Sequence, residues 1–142
     1  MRSTHLNLTE KVPQGLEGQE TVVVTHEITV AHFHPQMPEV YGTPFMIYLM
    51  EVAATNAIQR YLPAGCVSVG TVVNVQHLAA TPIGRTVTAK AKVESMTERT
   101  VTFTVESHDG QELIGIGTHT RAVVDLARFN RQLEFKRSQS PA

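Results

Sequence analysis

One carboxylate stands in the apolar run from Phe45 to Ala54: Glu51. An ionised side chain in such surroundings is costly unless it finds hydrogen bonds, a counter-charge or a shifted pKa, which makes Glu51 a candidate for chemistry. The competing reading is a narrow polar stripe, because Thr55 and Gln59 follow at i+4 and i+8 on the same helix face. His77 is the second candidate. Strict alternation puts it on the strand face of Val67, Val69, Thr71, Val73 and Val75, the face a buried helix covers, where Glu51 can meet it. Alone, it reads first as a core histidine bonded to a backbone carbonyl. Together, a carboxylate and an imidazole aimed at one apolar layer suit acid–base or nucleophilic chemistry. Thr43 precedes Pro44 and reads first as a helix N-cap. Eight helical residues at ~1.5 Å each separate it from Glu51 by about 12 Å. The two meet only if Thr43 lies in a loop that folds back, or if they come from different subunits. Pro44 favours the first option slightly by disfavouring helical geometry at Thr43.

The elements that must hold these residues follow from periodicity. Residues 1–18 are polar, carry Pro13, Gly15 and Gly18, and read as an N-terminal arm. Glu20 to Val30 alternates as a strand, and His32 to Gly42 is a Pro-, His- and Gly-rich loop. A helix is expected from Thr43 to about Tyr61, stopping before Pro63 and Gly65. It is apolar almost all round in its first three turns and too short to span a membrane, so it is buried on most sides. Strands follow at Cys66–His77, Arg85–Met96, Thr100–Ser107 and Gln111–Asp125. A turn lies at residues 81–84, and Asp109-Gly110 reads as a two-residue hairpin turn. That hairpin register puts His119 and Arg121 on the face opposite Val101, Phe103 and Val105, towards solvent or a partner subunit. The plan is α+β: an antiparallel sheet wrapped round one long central helix. The expected divisions are the arm (1–18), one domain (19–130) and a mildly basic C-terminal tail (131–142). One sheet and one helix of this size do not cover themselves, so a second copy is expected.

The bulk properties exclude several classes. The 142 residues suit one domain. A net charge of -1 with scattered Lys and Arg carries no footprint for nucleic acid. A lone cysteine, Cys66, excludes an internal disulfide framework and suits a reducing compartment. With no apolar stretch of membrane-spanning length and no secretion signal at Met1, the cytoplasm is expected. His32 and His34 lack a third ligand at suitable spacing, so no metal site is expected. Cys66 has no activating neighbour and reads as a structural thiol.

Several stretches taken together resemble the hotdog-fold acyl-CoA thioesterases similar to fluoroacetyl-CoA thioesterase. They are Val40-Tyr41-Gly42-Thr43-Pro44 through Glu51; Val69-Gly70-Thr71 with His77; Ala79-Ala80-Thr81-Pro82-Ile83-Gly84; His108-Asp109-Gly110; and the run from Ile114 to Val123. The resemblance spans about residues 20–135. It implies a single hotdog domain and hydrolysis of an acyl-CoA, with Thr43, Glu51 and His77 as the catalytic set. A backbone N–H near Gly70 would bind the thioester oxygen. It further implies a homodimer, or dimer of dimers, with acyl-CoA sites at the subunit interface, and no cofactor beyond the coenzyme A of the substrate. Arg121 is weighed as a contact for a CoA phosphate against an ordinary surface arginine. The segment from His32 to Tyr41 departs from the family's fluoroacetyl-selective member: it is shorter and lacks the phenylalanine-rich lid associated with fluorine selectivity.

The chemistry of a thioester fits these residue types. It needs a nucleophile or activated water, a donor for the developing oxyanion, and a proton for the leaving thiolate. Glu51 serves as nucleophile or base, and His77, titrating near neutrality, as acid or base. The alternative function is a non-catalytic acyl-CoA-binding or sensing protein on the same fold. A hotdog hydratase lacks its usual Asp-x-x-x-x-His arrangement here. A purely structural dimer leaves the paired Glu and His unexplained.

Overall fold

The computed structural model describes residues 6–141. Residues 1–5 of the expected arm and 142 of the expected tail lie outside the described residues. Strands β1 (Glu17–Val23), β2 (Cys66–His77), β3 (Thr86–Met96), β4 (Thr100–His108) and β5 (Leu113–Asp125) form one antiparallel sheet in the order β1-β3-β4-β5-β2. Helix α1 (Val30–Phe33) is a single turn, α2 (Thr43–Ile58) is the long central helix, and α3 (Leu126–Ser138) closes the chain. Helix α2 touches β1, β3, β4 and β2, from one sheet edge to the other, so the sheet wraps round it as expected. No helix among the described residues is long and apolar enough to cross a membrane.

The wrap follows from the inner face of the sheet. Val87, Ala89, Ala91 and Val93 on β3 and Val101, Phe103 and Val105 on β4 alternate as the sequence indicates, and all are buried. They meet Met46, Leu49, Met50, Ala53, Ala54, Ala57 and Ile58 of α2 in one core. The helix is not covered all round: Tyr48 is 66% exposed.

Two expectations need correction, and the arm and the tail gain detail. The strand expected over 20–30 begins at Glu17 and ends at Val23. Its neighbour β3 starts at Thr86 opposite Val23, and the pairing ends at Val24, whose N–H reaches the Arg85 carbonyl at 2.9 Å. The chain then coils through a 3-10 turn at His26–Ile28, where Thr29 Oγ1 donates to the His26 carbonyl at 2.7 Å. The described part of the arm packs on the domain: Leu8 is fully buried and its N–H bonds the Glu98 carbonyl at 2.9 Å. Residues 126–138, which include most of the expected tail, form α3, capped by Asp125 accepting from the Arg128 N–H at 2.9 Å. Finally, Thr43 is not the N-cap of α2. Gly42 holds that place in extended geometry, and Thr43 is already helical with Pro44 in the first turn. The helical stretch continues as a 3-10 turn at Gln59–Tyr61, close to the expected end.

Strand β1 lies against α2 at Gly18. A Cβ there would run into the Ala53 carbonyl oxygen, and would sit 2.5 Å from the Ala57 nitrogen and 2.8 Å from its Cα. All three are backbone atoms that cannot yield without moving the helix. Gly18→Ala should therefore destabilise the fold by roughly 1–3 kcal/mol, the usual scale of overpacking. Urea denaturation should show a lower midpoint with an unchanged slope; an unchanged midpoint would mean that β1 does not pack this tightly.

Candidate active site

Two polar clusters lie between the helix and the sheet. The first is at the N-terminal turn of α2. With the N-cap role left to Gly42, the Thr43 hydroxyl is free, and its Oγ1 lies 2.8 Å from His77 Nδ1 at the end of β2. Among the described residues His77 Nε2 is buried without a hydrogen-bond partner. The ring of Tyr41 stands edge-on to the imidazole at 6.4 Å. Burial holds His77 below its ordinary pKa, partly offset by the backbone of Ala79.

The second cluster surrounds Glu51, two turns along α2. Its Oε1 accepts from Arg121 Nη1 at 3.1 Å, and His119 Nε2 lies 4.0 Å away. Arg121 Nε donates to Ser68 Oγ at 2.8 Å and Nη2 to the Ser68 carbonyl at 2.9 Å. Nη1 lies 3.1 Å from His119 Nε2, and His119 Nδ1 lies 2.8 Å from the Val72 carbonyl. Arg121 and His119 are buried, whereas the Glu51 side chain keeps 34% exposure. A carboxylate so placed has a counter-charge behind it and one open side. Thr55 and Gln59, which follow it along the helix, do not bond this carboxylate. Thr55 bonds the Glu51 carbonyl instead, and Gln59 reaches the Cys66 carbonyl.

Gly70 completes this cluster. A Cβ on Gly70 would lie 2.6 Å from Glu51 Oε1 and 3.0 Å from His119 Cε1. Only a residue without a side chain lets the carboxylate reach the strand here. The structure thus brings Thr43 to His77 and Glu51 to Gly70 and Arg121. Among the described residues no hydrogen bond or ion pair links Glu51 to His77 within one chain, and Thr43 and Glu51 stand eight residues apart on one helix.

Two register shifts explain what alternation missed. A bulge between Gly70 and Val72 leaves Thr71 out of the ladder with β5. Ser68 and Gly70 face the helix before the bulge, and Val73, Val75 and His77 after it. His77 is inward as expected, but Val67 and Val69 are on the other face. The β4–β5 connection is also not a two-residue turn. Asp109 accepts from the N–H groups of Gln111 and Glu112, both at 3.0 Å, and a second irregularity follows Ser107. Phe103 therefore pairs with His119 and Val101 with Arg121. Both residues, expected at the surface, face the core. All three guanidinium nitrogens of Arg121 meet protein groups. Ser68 is the member of this cluster that the sequence reading passed over, and His119 is the one it placed on the wrong face. The available signal was Gly115, which shares their face and leaves room for Met46 and Met50. Among the described residues no group of three or more His, Cys, Asp or Glu side chains could hold a metal ion, and His32 and His34 are exposed. Burial and the nearby Asp125 push the Cys66 thiol up, away from a reactive thiolate.

Residues 24–127 match the family described as fluoroacetyl-CoA-specific thioesterase. The chain belongs to the fluoroacetyl-CoA-specific thioesterase family. It is 44% identical over 121 residues to the fluoroacetyl-CoA thioesterase of Streptantibioticus cattleyicolor, covering 81% of this chain and 86% of that protein. A solved structure of a fluoroacetyl-CoA thioesterase superposes with a TM-score of 0.83 at 40% identity, over 92% of this chain and 98% of the other. A hot-dog-like protein of Thermanaerovibrio acidaminovorans has a TM-score of 0.84 at 23% identity, over 96% and 100% of the two chains; this likeness is one of fold alone. The thioesterase family's hotdog architecture is thus the frame that holds both clusters.

The buried imidazole of His119 and the half-buried one of His77 set a pH dependence. Burial lowers both pKa values, with Arg121 adding to the effect at His119 against the opposing Val72 carbonyl and Glu51. Above the ordinary histidine pKa of about 6.5 both folded and unfolded forms are neutral, and the fold is at full strength. Below it the unfolded chain takes up protons that the folded chain resists, so stability falls as pH drops through the folded pKa values. The melting temperature should decrease from pH 7.5 to 5.5. A flat or rising trend across that window would contradict the buried neutral assignment.

Proposed function

We propose that the chain hydrolyses the thioester of an acyl-CoA to the free acid and CoA, with Thr43, His77 and Glu51 as its reacting groups. Family membership carries the reaction class. The observation that supports the residues is the half-used imidazole of His77, whose Nδ1 is taken by Thr43 while Nε2 is buried without a partner among the described residues. A buried polar atom left unpaired costs about 1–3 kcal/mol, a penalty that a bound substrate group or water relieves. With the Thr43 hydroxyl donating to Nδ1, Nε2 carries the ring proton and delivers it to the departing thiolate. Glu51 supplies the complementary half. It attacks the thioester carbonyl to give an anhydride that water opens, or it takes a proton from the attacking water; both routes yield the same acid and thiol. The N–H of the backbone by Gly70 is the donor for the oxyanion.

The reading includes a homodimer. Thr43 and Glu51 are too far apart along one helix to act on one carbonyl. A two-fold partner unites one protomer's Thr43–His77 with the other's Glu51. Two features favour the β2 edge as the seam. It is a 12-residue edge strand with Val72 and Val73 more than two-fifths exposed, and such edges recruit another strand. The uncovered Tyr48 on α2 needs the same cover. Light scattering at micromolar concentration should give a mass twice that of one chain, or a multiple of it; a monomer would remove the basis for a shared site.

In a free-thiol assay over an acyl-CoA panel, Glu51→Gln and His77→Ala should each lower kcat by roughly 10²-fold or more. The double variant should be little worse than the poorer single one. Thr43→Ala should cost less rate and, since Thr43 is no N-cap, little stability. Fluoroacetyl- and acetyl-CoA should give similar kcat/KM, because the segment before Thr43 is short and carries a single phenylalanine, Phe33, stacked on Phe45. Near-wild-type turnover by a folded Glu51→Gln dimer would sink the mechanism, and no turnover of any acyl-CoA by the wild type would favour a binding or sensing role.

A further inference from the structure

We infer that His119 is a positioning residue for Glu51: as a neutral ring with its proton on Nδ1, it accepts an N–H of Arg121 and so fixes the guanidinium that holds the carboxylate. The inference rests on the reading that Glu51 reacts. The geometry assigns the tautomer. His119 Nδ1 lies 2.8 Å from the Val72 carbonyl oxygen, which can only accept, so Nδ1 bears the hydrogen. Nε2 of the neutral ring then has a lone pair, and the group 3.1 Å from it is Arg121 Nη1, which can only donate.

The same Nη1 makes the 3.1 Å bond to Glu51 Oε1. Its two hydrogens are thus divided between His119 and Glu51, while Ser68 anchors Nε and Nη2 on the far side of the guanidinium. At 4.0 Å, His119 Nε2 is too far from Oε1 to bond it directly. Its influence on the carboxylate runs through Arg121. The ring is itself held firmly: it is 2% exposed and lies beside Phe103, its cross-strand partner, at 6.3 Å between centroids and 25° between planes.

The β2 bulge is part of this device. Val72 is the first residue back in the ladder after Thr71 drops out, and its carbonyl is the one that receives Nδ1. The charged groups facing His119 are Arg121 on its own strand and Glu51 from α2. From β2 and β4 it meets the Val72 carbonyl and the Phe103 ring. A proton added at Nε2 would turn an acceptor into a donor aimed at Nη1, and would set two cations against each other in a buried space. Glu51 would then lose its fixed partner.

The test compares wild type, His119→Phe, His119→Gln and Glu51→Gln in full-chain protein, by kcat, KM and the pH dependence of kcat. His119→Phe keeps a ring against Phe103 and removes the acceptor. It should leave KM unchanged and lower kcat by about tenfold or more, as misplaced reacting groups do. His119→Gln offers a neutral amide that can accept from Arg121. It should recover most of the lost kcat and remove one ionisation from the acid limb of the profile. Full kcat in a folded His119→Phe protein overturns the inference while Glu51→Gln remains inactive. A loss in His119→Phe that His119→Gln does not recover also overturns it, since packing would then be the cause. Full activity of Glu51→Gln overturns the Glu51 reading and this inference with it. Should neither His119 variant fold, nitrogen NMR of the wild type decides. A neutral Nδ1–H ring at pH 7 is expected, and an Nε2–H ring or an imidazolium overturns the inference.

Discussion

The ion pair between Glu51 and Arg121 is the constraint around which the rest of the structure is arranged. A carboxylate on an apolar helix and a guanidinium on the inner face of a sheet both lose water when the two layers close. Their attraction offsets that loss only if the remaining donors and acceptors are also met. Here they are. Ser68 takes the far side of the guanidinium, His119 takes one hydrogen of Nη1, and Glu51 takes the other. Removing either charge would leave the other stranded, which ties the helix to the β2–β5 side of the sheet in one orientation.

That pairing imposes geometry on β2. The carboxylate reaches the strand only because Gly70 has no side chain, and the bulge directly after it turns the Val72 carbonyl towards His119. The same bulge reverses the parity of the strand, so Val73, Val75 and His77 return to the inner face. One irregularity thus serves both clusters: it anchors the Glu51 network and delivers His77 to Thr43. Bulges of this kind are common beside functional sites, where they re-aim a side chain. The two clusters differ in character. The Glu51 network is satisfied on every side but the solvent side, whereas the imidazole of His77 has one nitrogen in use and one without a partner among the described residues.

Much was legible in the residues themselves. Alternation on β3 and β4 follows from valine, alanine and phenylalanine at every second place, because a half-buried strand must present one face to the core. The burial of α2 follows from an apolar surface too broad for a single exposed stripe, and Glu51 stands out for the same reason. The stretches from Val40 to Glu51 and from Ile114 to Val123 carry the family's pattern strongly enough to name the fold and the class of reaction. What these signals share is that each depends on residues near one another in the chain.

The rest was decided by tertiary structure. Periodicity assigns faces only while the register is unbroken, and one extra residue flips every side chain beyond it. The bulge at Thr71 and the long turn after Ser107 are such breaks. Because of them Val67 and Val69 left the face assigned to them, and His119 and Arg121 moved from the surface to the core. Thr43 changed role for a related reason. Whether a threonine before proline caps a helix or lies inside it turns on the backbone of Gly42, which is itself tied to the Ile28 carbonyl from a distant part of the chain. The sequence by itself determined which residues are costly to bury and what order of helix and strands they build. Only the packing of α2 against the curved sheet decided which of those residues meet, because that depends on a strand register set by hydrogen bonds between segments far apart in the chain.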